Sequence, residues 1–201
     1  MTQLYIADTH FLHENVLRFD NRLFPDMETH DRVLIENWRN RVDVDDDVYV
    51  LGDISLGNST KTIEIVEQLT GRLHWIPGNH CKKLLKNKKL RDMFVEITDY
   101  KEMTDDNGNG IVLCHYPIPC FNAHYYGWIM LCGHTHNSYE HEIMEKTRRM
   151  LIDATDGKKP CNMINVGAMH SWMQYCPRSF TEIIDGYNET QPDKYKIKLD
   201  K

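Results

Sequence analysis

At 201 residues, 41% hydrophobic and 27% charged, the chain is sized for one globular domain and too short for two. Disordered and fibrous classes drop out, and no apolar run approaches the roughly 18 residues of a membrane helix. A formal net charge of −6 argues against a protein that wraps a long polyanion, which takes a surplus of Lys and Arg.

The first predicted element is a strand over 4–7 that runs into Asp8. Residues 11–26 read as a long loop with one helical turn. Apolar Val33, Leu34, Ile35 and Trp38 among charges predict an amphipathic helix over 27–42. An acidic linker over 43–47 precedes a strand over 48–52 that ends in Asp53. Ser59 or Thr60 is the predicted cap of a helix reaching 69, with Gly71 at its stop. A strand ending at Ile76 leads through Pro77 and Gly78 to Asn79, and a basic helix is expected over 82–92.

Strands over 95–103 and 111–114 are expected to flank an Asp-Asn-Gly-rich turn over 105–110, the second of them ending in His115. A further strand over 129–132 leads into Gly133 and His134. Residues 142–154 suit a helix or a strand and turn, late strands are expected over 163–168 and 180–184, and an edge strand over 195–199 in a polar tail from 186. The expected organisation is a single domain over 1–201, with its core over about 3–185.

The six cysteines form no CxxC pair, and Cys114 and Cys132 sit inside apolar runs; reduced thiols in a cytoplasmic protein are the simplest account. The N-terminus enters a strand without a basic segment and an apolar signal core, so secretion is not expected.

Five apolar runs thus end in a residue able to bind a metal: Asp8, Asp53, Asn79, His115 and His134. Ligands in mixed sheet-and-helix proteins gather beyond the carboxyl ends of strands, so distant segments can meet at one point. Asp8 with His10, and His134 with His136, are spaced two apart, which along an extended strand sets both side chains on one side. These seven candidates mix carboxylate oxygen with imidazole nitrogen, a set suited to Mn, Fe, Zn or Ni. Seven exceed one tetrahedral ion; if Asp53 bridges, two ions roughly 3.5–4 Å apart fit, the arrangement suited to in-line attack on phosphorus.

The ordered motifs DTH (8–10), GD (52–53), GNH (78–80), His115 and GHTH (133–136) resemble those of the calcineurin-like metallophosphoesterase superfamily, in particular its small single-domain bacterial and phage members. The resemblance covers about 4–179. It implies an α/β fold of two packed mixed β-sheets flanked by helices, a four-layer αββα arrangement. It also implies two divalent ions, one held by Asp8, His10, Asp53 and His136 and the other by Asp53, Asn79, His115 and His134. His80 matches the catalytic histidine, placed to stabilise the phosphate or protonate the leaving group. The implied activity is hydrolysis of phosphate mono- or diesters by a metal-bridging hydroxide.

Where the family has an acidic residue after GNH, this chain has Cys81, a weaker acceptor for orienting His80. His13 and Arg22 in the long loop are candidate substrate contacts, Arg22 through its fork of donors. Two other readings stand beside the phosphoesterase: a nuclease or cyclic-nucleotide phosphodiesterase of the same superfamily, favoured by the lysines after His80, and a catalytically weak interaction scaffold. The expected partner is a phosphate ester, nucleotides and nucleic acid included, and no membrane.

Overall fold

The computed structural model describes residues 1–199 and contains two mixed sheets. Strands β1 (Gln3–Ala7), β2 (Asp47–Leu51), β3 (Arg72–Ile76) and β4 (Glu96–Ile97) run parallel, and β9 (Arg178–Ser179) joins the edge of β1 antiparallel. In the second sheet β6 (Gly110–Cys114), β7 (Ile129–Cys132) and β8 (Asn162–Asn165) are parallel, with β5 (Tyr100–Thr104) antiparallel at the edge. Parallel register puts the carboxyl ends of β1, β2 and β3 in line, Ala7 beside Leu51 and Leu51 beside Ile76.

Alternation along the second sheet sorts its side chains into two layers. Ile111, Leu113, Ile129, Leu131 and Ile164 share one core with Leu4, Val50 and Trp75 of the first sheet. Val112, Cys114, Met130, Cys132 and Met163 face the other way, onto Met144 of α5 (Tyr139–Ala154). Helices α2 (Met27–Arg41) and α3 (Ser59–Val66) add Leu34, Trp38, Ile63 and Val66 to the first of these clusters. Each large apolar side chain buried there contributes about 1.5–3 kcal/mol. The expected α/β architecture of two packed mixed sheets with helices is the one observed.

Local chemistry accounts for where expectation and structure part. The cap of α3 is Asn58, whose side chain accepts from Lys61 N at 3.0 Å, one residue ahead of the expected Ser59. The basic stretch 82–92 is not one helix: Asn87 accepts from Leu90 N and starts a separate short α4 (Lys88–Arg91). The expected strand 95–103 is two strands in different sheets, β4 and β5, parted where Thr98 Oγ1 donates to Tyr100 O. Residues 166–168 leave β8 and pair with β1 through Ala7 N to Val166 O and Ala168 N to Ala7 O, both 2.8 Å.

The expected strand over 180–184 is a helix, α6 (Phe180–Glu189). Ser179 and Glu182 close a reciprocal cap, and Phe180, Ile183, Ile184 and Tyr187 present one helical face. Among the described residues no strand covers 195–199: Asn188 instead pins Ile197, accepting from its N at 2.8 Å and donating to its O at 2.9 Å. The ambiguous 142–154 stretch lies in α5, and the loop 11–26 carries the short helix α1 (Glu14–Phe19).

Candidate metal centre

The polar ends of β1, β2, β3, β6 and β7 converge where the two sheets meet. Donor atoms of Asp8, His10 and His136 lie within 4.8 Å of one another, and so do those of Asp8, Asp53 and His115. Asp53 Oδ2 is 3.9 Å from His10 Nε2, 3.7 Å from His115 Nε2 and 3.9 Å from His80 Nε2. Asn79 Oδ1 sits 3.0 Å from both His115 Nε2 and His134 Nδ1. All seven candidate ligands therefore face a common region, with Asp53 between the two groups of imidazoles.

Asp8 also approaches His115, but through Nδ1 at 3.9 Å, the nitrogen that bonds Leu51 O at 3.2 Å. With Nδ1–H committed to that carbonyl, the lone pair of His115 is on Nε2 and faces Asp53 and Asn79. Asp53 Oδ2 thus stands near ring nitrogens of both His10 and His115.

Close packing of these side chains needs bare backbone opposite them. A Cβ on Gly52, whose φ is +96°, would stand 1.8 Å from His115 Nδ1, and one on Gly78 would stand 2.4 Å from Asp53 Oδ1. Neither position tolerates a side chain while the ligands stay in place.

The spacing-by-two argument for the paired ligands fails in its mechanism. Asp8, His10, His134 and His136 lie beyond the strands, all with left-handed backbone, φ 50°, 51°, 69° and 48°. Their side chains converge through these turns and not through strand pleating. Such conformations cost about 1–2 kcal/mol each in residues with a Cβ, and they cluster at functional sites.

Two observations fit the site to cations. Asp8 is fully buried; its Oδ2 accepts from His134 N at 2.8 Å while Oδ1 has no partner. Burial pushes its pKa up despite His136 and His115 nearby, and an adjacent cation would reverse that. The second observation is that His10 Nε2 and His136 Nε2 lie 3.2 Å apart. His10 Nδ1 meets His13 Nδ1 at 3.1 Å, and His136 Nδ1 meets Asp20 Oδ2 at 3.2 Å. If both Nδ1 atoms donate, the facing Nε2 lone pairs need a cation or a proton between them.

The charge environment agrees. Burial, with His136, holds the His10 pKa well below its usual value, and burial lowers that of His134, so both imidazoles are neutral donors. For His136 burial opposes protonation, but the Asp20 hydrogen bond and the Asp8 charge outweigh it and raise the pKa. Asp20 itself is disfavoured as an anion by burial, yet His136 and Arg22 bring its pKa down to about 2.

Two sequence candidates land elsewhere than expected. Arg22 is 2% exposed, and its donors go to Asp8 O (2.7 Å), Thr9 O (3.0 Å) and Asp20 Oδ2 (2.8 Å), with His30 Nε2 at 3.0 Å. It braces the Asp8-to-His10 loop from the interior. Half-buried His13 meets His10 Nδ1 through its own Nδ1 at 3.1 Å. The hydrogen bonds of the buried Cys81 thiol go to other partners than the His80 ring: Sγ accepts from Gly78 N at 3.2 Å and donates to Asp53 Oδ1 at 3.6 Å. Burial and Asp53 push its pKa up to about 12, so it remains a thiol. His80 N also donates to Asp53 Oδ1, at 3.0 Å, and its side chain is 47% exposed at the rim.

Asp20 and Asn165 escaped sequence reading. Asp20 accepts from Arg22, His136 and Asn137, whereas buried Asn165 donates to Thr135 Oγ1 at 2.8 Å. Neither lies at a strand end followed by a ligand motif, and no local signal marks them.

The chain is similar to several other proteins in sequence and in fold. An uncharacterized protein of Methanocaldococcus jannaschii is 35% identical over 142 residues, spanning 69% of this chain and 72% of that protein. The gene 66 protein of Mycobacterium phage D29 is 26% identical over 172 residues, 74% of this chain and 85% of that protein. The crystal structure of a protein of unknown function from Aquifex aeolicus covers 91% of this chain and 97% of its own, at 25% identity and a TM-score of 0.65. The calcineurin-like phosphoesterase superfamily domain matches residues 1–181, and the chain belongs to that superfamily.

Proposed function

We propose that the chain hydrolyses phosphate mono- or diesters at a centre of two divalent cations, of the Mn, Fe, Zn or Ni type. Asp8, His10, Asp53 and His136 would hold one ion, and Asp53, Asn79, His115 and His134 the other. The observation that carries this reading is Asp53 Oδ2, set within 4 Å of imidazole nitrogens from three separate loops. Paired cations at such a site supply Lewis-acid polarisation of phosphate oxygens and lower the pKa of water to near neutrality.

The chain's own residues do the rest. Asp53 keeps Oδ2 inward because Oδ1 is engaged by His80 N and the Cys81 thiol. His80, outside both ligand groups and open to solvent, donates a hydrogen bond to the phosphate or protonates the departing oxygen. His13 holds His10 in the tautomer that presents Nε2.

The nuclease reading draws little from the lysines after His80. Lys88 pairs with Asp92 and Lys89 with Glu67 on an exposed surface, as a solvated face does. The scaffold reading is disfavoured by the assembled ligands. All six cysteines are unpaired, which suits a reducing, cytoplasmic setting, and no described helix is long and apolar enough to cross a membrane.

The test combines elemental analysis with Mn²⁺-dependent hydrolysis of bis(4-nitrophenyl) phosphate and 4-nitrophenyl phosphate. Asp53→Ala should leave less than about one ion per chain, and His80→Ala should keep the ions while losing about 100-fold or more in rate. Two retained ions in the first variant, or wild-type turnover in the second, would remove the assignment.

A further inference from the structure

A groove of about 420 Å³ borders the candidate metal centre at His134, which forms part of its wall. Tyr116, Pro117 and Pro119 form one side, and Tyr139, Ile143 and Met144 of α5 the other. The ring of Tyr116 stands edge-on to His134, centroids 4.7 Å apart, so apolar surface begins where the ligand imidazole ends. Tyr139 and Ile143, four residues apart on the same face of α5, are 70% and 54% exposed with nothing packed over them.

Charge narrows what fits. The lining has no Lys or Arg, and Glu140 adds a carboxylate to it. A second phosphate, or the sugar-phosphate backbone of a polynucleotide, would meet repulsion there without a counter-charge. An uncharged aromatic or alkyl group would instead bury its surface against Tyr116, the two prolines and Ile143. Because His134 belongs to both the groove and the centre, an ester whose phosphate lies at the cations has its organic group at the groove mouth.

We propose that this groove is the subsite for the organic group of the ester, and that it selects an uncharged aryl or alkyl substituent over an anionic one. The inference rests on the phosphoesterase reading and adds its specificity.

Binding of non-hydrolysable phosphonates separates the two ideas. Calorimetry on Mn²⁺-loaded full-length protein would compare methyl-, phenyl-, 1-naphthyl- and carboxymethylphosphonate. The naphthyl compound should bind roughly tenfold or more tighter than the methyl one, with the carboxymethyl compound weakest. Ile143→Asp and Tyr139→Ser, both at exposed helical positions, should each cut the naphthyl-to-methyl ratio to below about threefold. A flat series, absent binding included, would overturn the proposal, as would carboxymethylphosphonate binding tightest or a ratio that survives both substitutions. Hydrolysis of bis(4-nitrophenyl) phosphate and 4-nitrophenyl phosphate is scored apart: turnover of neither with the preference intact removes the phosphoesterase reading alone, and turnover of either with a flat series removes the subsite alone.

Discussion

Asp8-Thr9-His10 and His134-Thr135-His136 are the same device built twice, one at the end of each sheet, and they differ in how they are fastened. Both follow a central strand, flank a buried threonine with left-handed residues, and turn two side chains to one centre. The first is held by charge: Arg22 donates to the carbonyls of Asp8 and Thr9 and is itself neutralised by Asp20. The second has its threonine held by neutral groups, Asn165 on Thr135 Oγ1 and the Ser138 hydroxyl on Thr135 O at 2.7 Å, while the Asp8 and Asp20 carboxylates accept from His134 N, His136 Nδ1 and Asn137 N around it. A strained ligand loop thus needs outside donors for its carbonyls and hydroxyl. The charged fastener serves the loop whose ligands are wholly buried, where a lost bond costs most.

Removing each fastener ranks them. Arg22→Met should cost about 3–5 kcal/mol in urea unfolding, because it strands the Asp20 carboxylate and two carbonyls in the interior. A loss below about 1 kcal/mol would show that the charged brace is dispensable. Asn165→Ala should cost about 1–3 kcal/mol, since Thr135 Oγ1 and Gly167 N lose a partner that carries no charge. Equal losses in the two variants would erase the distinction.

Asp20→Asn should weaken Mn²⁺ binding by about 10–100-fold, through a poorly oriented His136, and leave the second ligand group untouched. Unaltered affinity by calorimetry would place His136 outside the centre.

The last effect is one of pH. Behind Asn165, whose carbonyl accepts from Trp172 Nε1, His170 stacks on Trp172 at 4.4 Å between centroids. Burial, helped by His141, pushes the His170 pKa down to about 3, from 6.5 when unfolded. The unfolded chain therefore takes up the proton first, so stability falls as pH drops below 6.5 and levels off near 3. The slope is at most about 1.4 kcal/mol per pH unit, and His170→Leu should flatten it. Urea melts between about pH 6 and pH 4 with equal slopes in both proteins would dismiss His170 as its source.

The candidate ligands were legible in the chain because each stands within a few residues of the end of an apolar strand, and strand ends are where topology concentrates polar groups. Their fasteners were not. Arg22 reads as a candidate substrate contact, and that its partners are backbone carbonyls and Asp20 no spacing reveals. The late run 180–184 suits strand and helix alike by composition; the pair Ser179 and Glu182 was the signal that decides, a cap three residues wide ahead of an apolar face. The run 95–103 carries no Gly or Pro where it changes sheets, so its break at Thr98 was hidden in sequence. Cys81 stands at the position read as orienting His80, yet burial turns its thiol to Asp53.

The path from β4 to β5 has a mechanical consequence. Only Thr98 and Asp99 separate them, yet β4 belongs to the sheet that brings Asp8, Asp53 and Asn79, and β5 to the one that brings His115 and His134. Ions coordinated from both sides would rivet two slabs of the molecule at the rim, far along the chain from that short hinge. Chelator should then lower the melting temperature by loosening the slabs from each other, while each slab keeps its own hydrogen-bonded ladder.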